Sequence, residues 1–392
     1  MKGWSSRAIA TLVNVAPKTK QPSSDTDVWS LNLDQIESHG GSVLKKVYVS
    51  AKKLGPSTFS FEPRTVLYSK LRPYLNKVIV ADEAGFATTE LVPIRCNLAE
   101  VHPEYLAYFL RSEEFLRFAT EVVAGAKMPR MVMSEFWNFQ VPLPPLTEQR
   151  RITAILDQAD TLRTKRRETL AQLDSLTQSI FIEMFGDTVS NSKAWPRLTL
   201  NELMDENGPQ NGLYKPSTDY GTGTPILRID AFYDGVVTKL DSLKRVRLSD
   251  SELALYGLRA EDIVINRVNS IEYLGKSALI PKLLEPTVFE SNMMRFAVRR
   301  DVVEPGYVVH FLQTDFIKNQ ILSCSKNAVN QSSINQQDVK SFRINVPPLA
   351  LQQTFATHIN EIESLRAAHR ASLNELDALF ASLQHRAFSG EL

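Results

Sequence analysis

The sequence predicts two α/β (α+β) globular bodies in tandem, each followed by a long helix, with the two helices paired antiparallel as a coiled coil. Three observations carry the prediction. First, two diproline motifs run from an apolar segment into a helix-prone one: LPPLTEQRRITAILD (143–157) and VPPLALQQTFATHI (346–359). Second, setting Pro144 on Pro347 gives an offset of 203 (347 − 144), and 13 identities then fall in about 40 ungapped positions. They include Gln149/Gln352, Arg163/Arg366, Arg167/Arg370, Asp174/Asp377 and Phe185/Phe388. Third, no Gly or Pro interrupts the chain from Thr147 to Phe185.

The repeat reaches upstream of the diprolines. HPEYLAYFL (102–110) matches EPGYVVHFL (304–312), TVLYSK (65–70) matches DIVINR (262–267), and Trp4–Leu12 lines up with Trp195–Leu203. The offset drifts from 191 at the starts to 203 at the ends, so the frames agree while the middles differ in length. A period near 200 residues is a domain duplication, not a solenoid repeat. The expected divisions are a first body 1–146, a central helix 147–187, a second body 188–349 and a C-terminal helix 350–392.

Within each body the strand candidates are rich in β-branched and aromatic residues: Thr65–Tyr68, Val78–Val80, Leu91–Arg95, Asp262–Ile265, Ala278–Ile280 and Arg295–Val298. Helices are expected over Pro103–Phe118 and Pro305–Ile321. Thr147 is the expected N-cap of the first long helix, with Glu148 in its first turn. Apolar residues then recur in steps of three and four at Ile152, Ile155, Ala159 and Leu162, and again at Leu170, Leu173, Thr177, Ile180 and Met184. The second copy does the same from Phe355 to Leu383. This is a coiled-coil seam. A helix of about 39 residues spans roughly 60 Å. The prolines restrict the residues before them and set a stiff exit from body to helix.

Composition bounds the function. With 392 residues the chain suits two or three domains; it is 43% apolar and 23% charged. It has no apolar run near the ~20 residues of a membrane helix, and its first residues lack the h-region of a signal peptide. Two cysteines, Cys96 and Cys324, outside any CxxC pattern point to a reduced, cytoplasmic chain. A net charge of +1 gives no broad electrostatic hold on nucleic acid, so DNA binding would need local patches or a partner's charge.

On these motifs the chain resembles the specificity subunits of type I restriction-modification systems. The markers are LPPLTEQRRITAILDQAD, VPPLALQQTFATHI, the helix tails IFIEMFGD and LQHRAFSGEL, and NGLYKPSTDYGTGTPILRI (211–229). They cover essentially the whole chain, in the same order twice. The resemblance implies a non-catalytic subunit whose two target-recognition domains each read one half of a split, asymmetric DNA sequence. It implies that the helices fix the gap between the halves and dock two DNA adenine-methyltransferase subunits carrying S-adenosylmethionine. Restriction/translocase subunits join that complex. Two readers on one face of B-DNA sit about 34 Å apart or slightly more, within the reach of such a helix.

The chain lacks DPPY or NPPY, Walker A, HExxH and GxGxxG motifs, and no metal or catalytic residue is expected. YGTGT (220–224) reads as a turn. Base and phosphate contacts need Arg, Lys, Asn, Gln, Ser or Thr on an element that enters a groove. The first body offers Lys70, Arg72, Asn76 and Lys77 in SKLRPYLNK, and Lys127 and Arg130 in GAKMPR. The second offers Arg267 and Asn269 in NRVNS, Lys326 and Asn330 in SKNAVNQSS, and Tyr214, Lys215 and Arg228. Arg163, Arg167, Arg366 and Arg370 recur on the helices and are assigned to partner docking or helix packing. Three other readings stay open: a methyltransferase with its own transfer site, a coiled-coil scaffold joining two protein-binding domains without DNA readout, and a recognition subunit of a different assembly.

Overall fold

The computed structural model describes residues 4–15, 26–55, 57–238, 240–328 and 331–392. The chain divides into two compact units. Unit 1 takes residues 1–169 and 369–392, and unit 2 takes residues 170–368. Each unit therefore holds one globular body, the near half of one long helix and the far half of the other.

In unit 1 an antiparallel sheet runs in the order Val13–Val15, Leu91–Cys96, Val66–Ser69, Val78–Val80. Val66 and Leu67 in its interior are fully buried, which explains why this strand is apolar rather than alternating. A second sheet, in the order Tyr48–Ser50, Asp27–Leu31, Gly85–Thr88, Thr58–Phe61, sets Trp29 edge-on to Phe61 at 5.1 Å. Gly85 is required there, because a Cβ would stand 2.8 Å from the Trp29 carbonyl oxygen. Against the first sheet lies the helix Pro103–Leu110, buried at every position but Glu104.

Unit 2 repeats this frame with a larger sheet. Its order is Gln210–Asn211, Met293–Phe296, Ile263–Asn266, Ser277–Leu279, Gly235–Val237, Phe232–Tyr233. The helix Pro305–Leu312 again packs on it, with Tyr307, Phe311, Phe181, Phe185 and Phe355 in one core.

Two expected helices and one expected turn are corrected. Neither Pro103–Phe118 nor Pro305–Ile321 is one helix. The first breaks into Pro103–Leu110 and Glu113–Glu121, because the Ser112 hydroxyl accepts from the Phe115 N–H at 3.3 Å and starts a new helix. The second breaks at the same place into Pro305–Leu312 and Asp315–Cys324. YGTGT is not a turn but part of the strand Tyr220–Leu227, which bulges so that Tyr220 and Thr224 both face Val246. A side chain at Gly223 (φ 107°) would collide with the Val246 carbonyl.

The long helices run Leu146–Phe185 and Leu349–Ser389. Thr147 lies inside the first turn rather than at its cap, since Pro145 supplies the carbonyl that accepts from Glu148 and Gln149. The same joinery ties each body to its helix. Ser5–Ala8 pairs with Gln140–Leu143, and Arg197–Thr199 with Arg343–Asn345, just ahead of each diproline. Tyr105 donates to the Pro142 carbonyl and Tyr307 to the Asn345 carbonyl, both at 2.7 Å. Gln149 is fully buried; it donates to the Glu100 and Pro144 carbonyls and accepts from the His102 N–H. Gln352, also fully buried, donates to Pro347 and accepts from Glu304. The repeated Gln thus caps the buried helix of its own body from the first turn of the long one.

In each unit the two helix halves pair antiparallel. In unit 1 Arg151 reaches the Leu392 carbonyl while Arg163 reaches Asp377; in unit 2 Phe355 packs on Phe181 and Phe185 while Arg366 reaches Leu173. The seam departs from the expected one at Leu162, which is exposed, as is its repeat mate Leu365. Phe181 and Phe185 are buried instead, because the helix ends face their globular body as well as the other helix.

Candidate nucleic-acid interface

In unit 1 the chain brings the two candidate loops together. Beyond the strand Val66–Ser69, residues 70–77 turn through Arg72 and Asn76, both left-handed (φ 50° and 49°). The short strands Val123–Ala124 and Arg130–Met131 form a hairpin whose tip carries Lys127 and Met128, both exposed. The loop and the hairpin are hydrogen-bonded: Arg72 N–H to the Pro129 carbonyl and Met131 N–H to the Lys70 carbonyl, each at 2.8 Å. Arg72, Tyr74 and Lys127 face outward. Arg130 is held by Glu90 at 2.9–3.2 Å, and that guanidinium keeps the Glu90 carboxyl below its usual range.

Two candidates in this loop are committed inward. Asn76 is buried and donates to the Arg111 carbonyl at 3.0 Å; Lys77 donates to the Leu33 carbonyl at 2.6 Å. Lys70 is half-buried. What residues 70–77 offer outward is narrower than their composition suggests.

Unit 2 repeats the juxtaposition. Val268–Asn269 pairs with Gln331–Ser333, which pairs with Lys326–Ala328. Arg267 accepts from the Ile334 N–H at 3.0 Å through its carbonyl, and its guanidinium donates to Ser291 at 3.1 Å. Asn269 is half-buried and Lys326 exposed. Asn330 lies outside the described residues. Residue pairs separated by 57 to 67 positions are therefore brought to one edge of each body, at matching places in the repeat.

The remaining candidates differ in availability. Tyr214 is 78% exposed. Lys215 pairs with Glu252 at 2.8 Å, and that lysine, with Ser249, holds the Glu252 carboxyl down to about 2. Arg228 pairs with the buried Glu290 at 3.2 Å. On the helices, Arg163 reaches Asp377 at 2.6 Å and Asp160 at 2.8 Å, and lies 4.2 Å from the Phe380 ring. Arg167 reaches the same Asp377 at 3.3 Å. Arg366 is only 3% exposed and binds Asp174 at 2.7 Å, Thr177 at 3.1 Å and Glu363. Arg163 and Arg366, at one place in the repeat, thus make the same contact to the repeated aspartate of the other helix. They lock the helix pair where the apolar seam lapses at Leu162 and Leu365. Arg370 is exposed.

The sequence reading passed over one polar run, NQQD (335–338), although its carboxamides are the residue type that reads bases. Asn335 caps the helix Gln336–Ser341, while Gln336 and Gln337 are exposed. Among the described residues no group of three His, Cys, Asp or Glu side chains has metal-site geometry. Burial pushes the Cys96 thiol up to about 12, so that side chain stays protonated at neutral pH. No described helix is long and apolar enough to cross a membrane.

Residues 3–173 and 209–378 match the family model described as the type I restriction modification DNA specificity domain. The chain is 24% identical over 374 residues to the type I restriction enzyme EcoKI specificity subunit of Escherichia coli K12, covering 87% of this chain and 80% of that protein. It is 20% identical to the StySPI specificity subunit of Salmonella potsdam over 100% of this chain and 89% of that one. A solved S subunit of a type I restriction-modification system from M. genitalium superimposes with a TM-score of 0.60 at 14% identity, covering 98% and 96% of the two chains. A chain from a type I R-M system, solved to describe complex assembly and conformational transition, gives 0.55 at 20% identity over 100% and 99%. At these identities the structural likeness is one of fold.

Proposed function

This chain belongs to the type I restriction modification DNA specificity family, and we propose from that membership that it reads a split, asymmetric DNA target, one half per body. The observation that carries the proposal is the paired loop edge found in each unit. Residues 70–72 join residues 129–131 in unit 1, and residues 267–269 join residues 332–334 in unit 2. The backbone frame is shared and the side chains differ, as two readers of different half-targets require. Arg72, Lys127, Asn269 and Lys326 are the side chains best placed to meet DNA.

The helix pairs serve as the docking platform for two adenine-methyltransferase subunits, and through them for restriction subunits. Arg370 and the outer edge of Arg167 are the recurring arginines still available to a partner. The subunit carries no catalytic step of its own, and S-adenosylmethionine belongs to the methyltransferase. With a net charge of +1, bulk electrostatics gives the isolated chain little hold on DNA, so the partner's charge contributes to affinity.

The test is a methylation map of genomic DNA from cells with and without this gene, its methyltransferase partner expressed in both. The proposal expects a two-part motif with a fixed gap to gain N6-methyladenine only when the gene is intact. Exchanging residues 1–146 for those of a relative should change one half of the motif. Identical maps with both proteins expressed would sink the reading.

A further inference from the structure

Unit 2 contains a polar recess of 340 Å³ bounded by Asn211, Arg267, Asn335, Gln336, Gln337 and Lys340. Two of these side chains are cationic, four are carboxamides and none is acidic. Such a lining suits an anion beside a hydrogen-bonding edge. The Nε of Arg267 is buried without a hydrogen-bond partner, so its guanidinium is not fully committed within the protein. Among the described residues no hydrogen bond or ion pair engages the side chain of Asn211, Gln336, Gln337 or Lys340. Asn335 is already spent, its Oδ1 accepting from the Gln337 and Asp338 N–H groups at 2.7 and 3.1 Å. The helix's first-turn N–H groups are thereby partly occupied, so the recess presents side chains.

Two further facts set the recess apart. The Ile334 N–H donates to the Arg267 carbonyl, so the recess adjoins the loop edge that carries Asn269. In the repeat, the 203 offset puts Met133, Ser134 and Trp137 where Gln336, Gln337 and Lys340 stand. The frame is kept and the chemistry replaced.

We infer, resting on the DNA-recognition reading above, that this recess is a direct-readout site of the second body. Gln336 and Gln337 meet the major-groove edge of an adenine in the second half-target, while Arg267 and Lys340 take the neighbouring phosphates. A carboxamide offers a donor and an acceptor in one plane, matching adenine N6 and N7. Arg267 is assigned to a phosphate because one nitrogen of its guanidinium is tethered to the Ser291 carbonyl and its Nε is buried, so it meets the DNA with a single remaining nitrogen rather than a two-nitrogen fork for guanine.

The experiment uses the full chain co-expressed with its methyltransferase, in the wild type, in Q336A/Q337A and in K340A. Methylation maps and duplex binding at several salt concentrations are read for each. In Q336A/Q337A the motif should lose discrimination at one base of the second half-target, by roughly 5- to 150-fold, with the first half-target unchanged. In K340A the motif should stay, and the slope of log K against log salt should fall by about 1. Thermal melting should be unaltered in both, because these side chains are not buried. The inference is overturned if both variants keep the wild-type motif and salt slope, or if the change falls in the first half-target. A wild type that writes no split motif defeats the recognition reading itself, and the inference with it.

Discussion

Replacing Gln149 by Leu tests the joint between body and helix. The Gln149 side chain is fully buried and makes three hydrogen bonds, at 2.8 Å to the Glu100 carbonyl, 2.9 Å to the Pro144 carbonyl and 2.8 Å from the His102 N–H. A leucine of similar volume makes none. Each lost bond costs about 1 kcal/mol net, and the His102 N–H, left unmet, adds about 1–3. Burial of the apolar side chain offsets about 1–2. The net loss is about 3 kcal/mol. Gln352 makes two such bonds, to Pro347 at 2.7 Å and from Glu304 at 2.9 Å, so Gln352→Leu should cost about 2 kcal/mol.

Urea unfolding separates the two. Three of the four tryptophans, Trp4, Trp29 and Trp137, belong to unit 1 and only Trp195 to unit 2. Fluorescence therefore weights unit 1, while far-ultraviolet circular dichroism sees both. With a slope of about 2 kcal/mol per molar urea, Gln149→Leu should lower the fluorescence midpoint by about 1.5 M. Gln352→Leu should act mainly on the circular dichroism trace, by about 1 M. A Gln149→Leu shift below about 0.3 M, or a larger shift for Gln352→Leu, would refute the capping argument. Gln149→Glu adds a control: it keeps an acceptor for His102 but sets a carboxylate against two carbonyls. Its deficit should exceed that of leucine at pH 7 and shrink as the pH falls and the carboxyl protonates.

Three other outcomes are expected. Burial, with Arg366 nearby, pushes the His310 imidazole down to about 4; the unfolded chain then binds more protons between about pH 4 and 6.5, so unit 2 loses stability as pH falls through that window. His310→Gln should flatten this dependence in pH-dependent denaturation by on the order of 1–2 kcal/mol. A double-mutant cycle with Arg163→Ala and Asp377→Ala should give a coupling of about 0.5–1.5 kcal/mol, modest because Asp377 is 41% exposed; no coupling would remove the helix lock. Lys127→Ala, at an exposed hairpin tip, should leave stability within about 0.5 kcal/mol while lowering the salt slope of duplex binding by about 1.

The sequence by itself determined the duplication, the two long helices and their neighbours in the sheets. These rest on short-range regularities: the absence of Gly and Pro from Thr147 to Phe185, and β-branched runs such as Val78–Val80, which is a strand at those same residues. It also marked Gln149 with Gln352, and Arg163 with Arg366, as repeated. It did not show what each did. Only the tertiary structure decided that the glutamines cap buried helices, since their partners lie 47 and 48 residues away. Only it decided that Arg366 is buried against Asp174 while Leu162 faces solvent, because the rotation of a helix is set by everything packed on it rather than by its own period. The candidate site divides the same way. Composition picked out residues 69–77, but burial turned Asn76 and Lys77 inward and left Arg72 outward. The recess at Gln336 and Gln337 needed the fold to bring Asn211 and Arg267 to it, across more than 60 residues of chain.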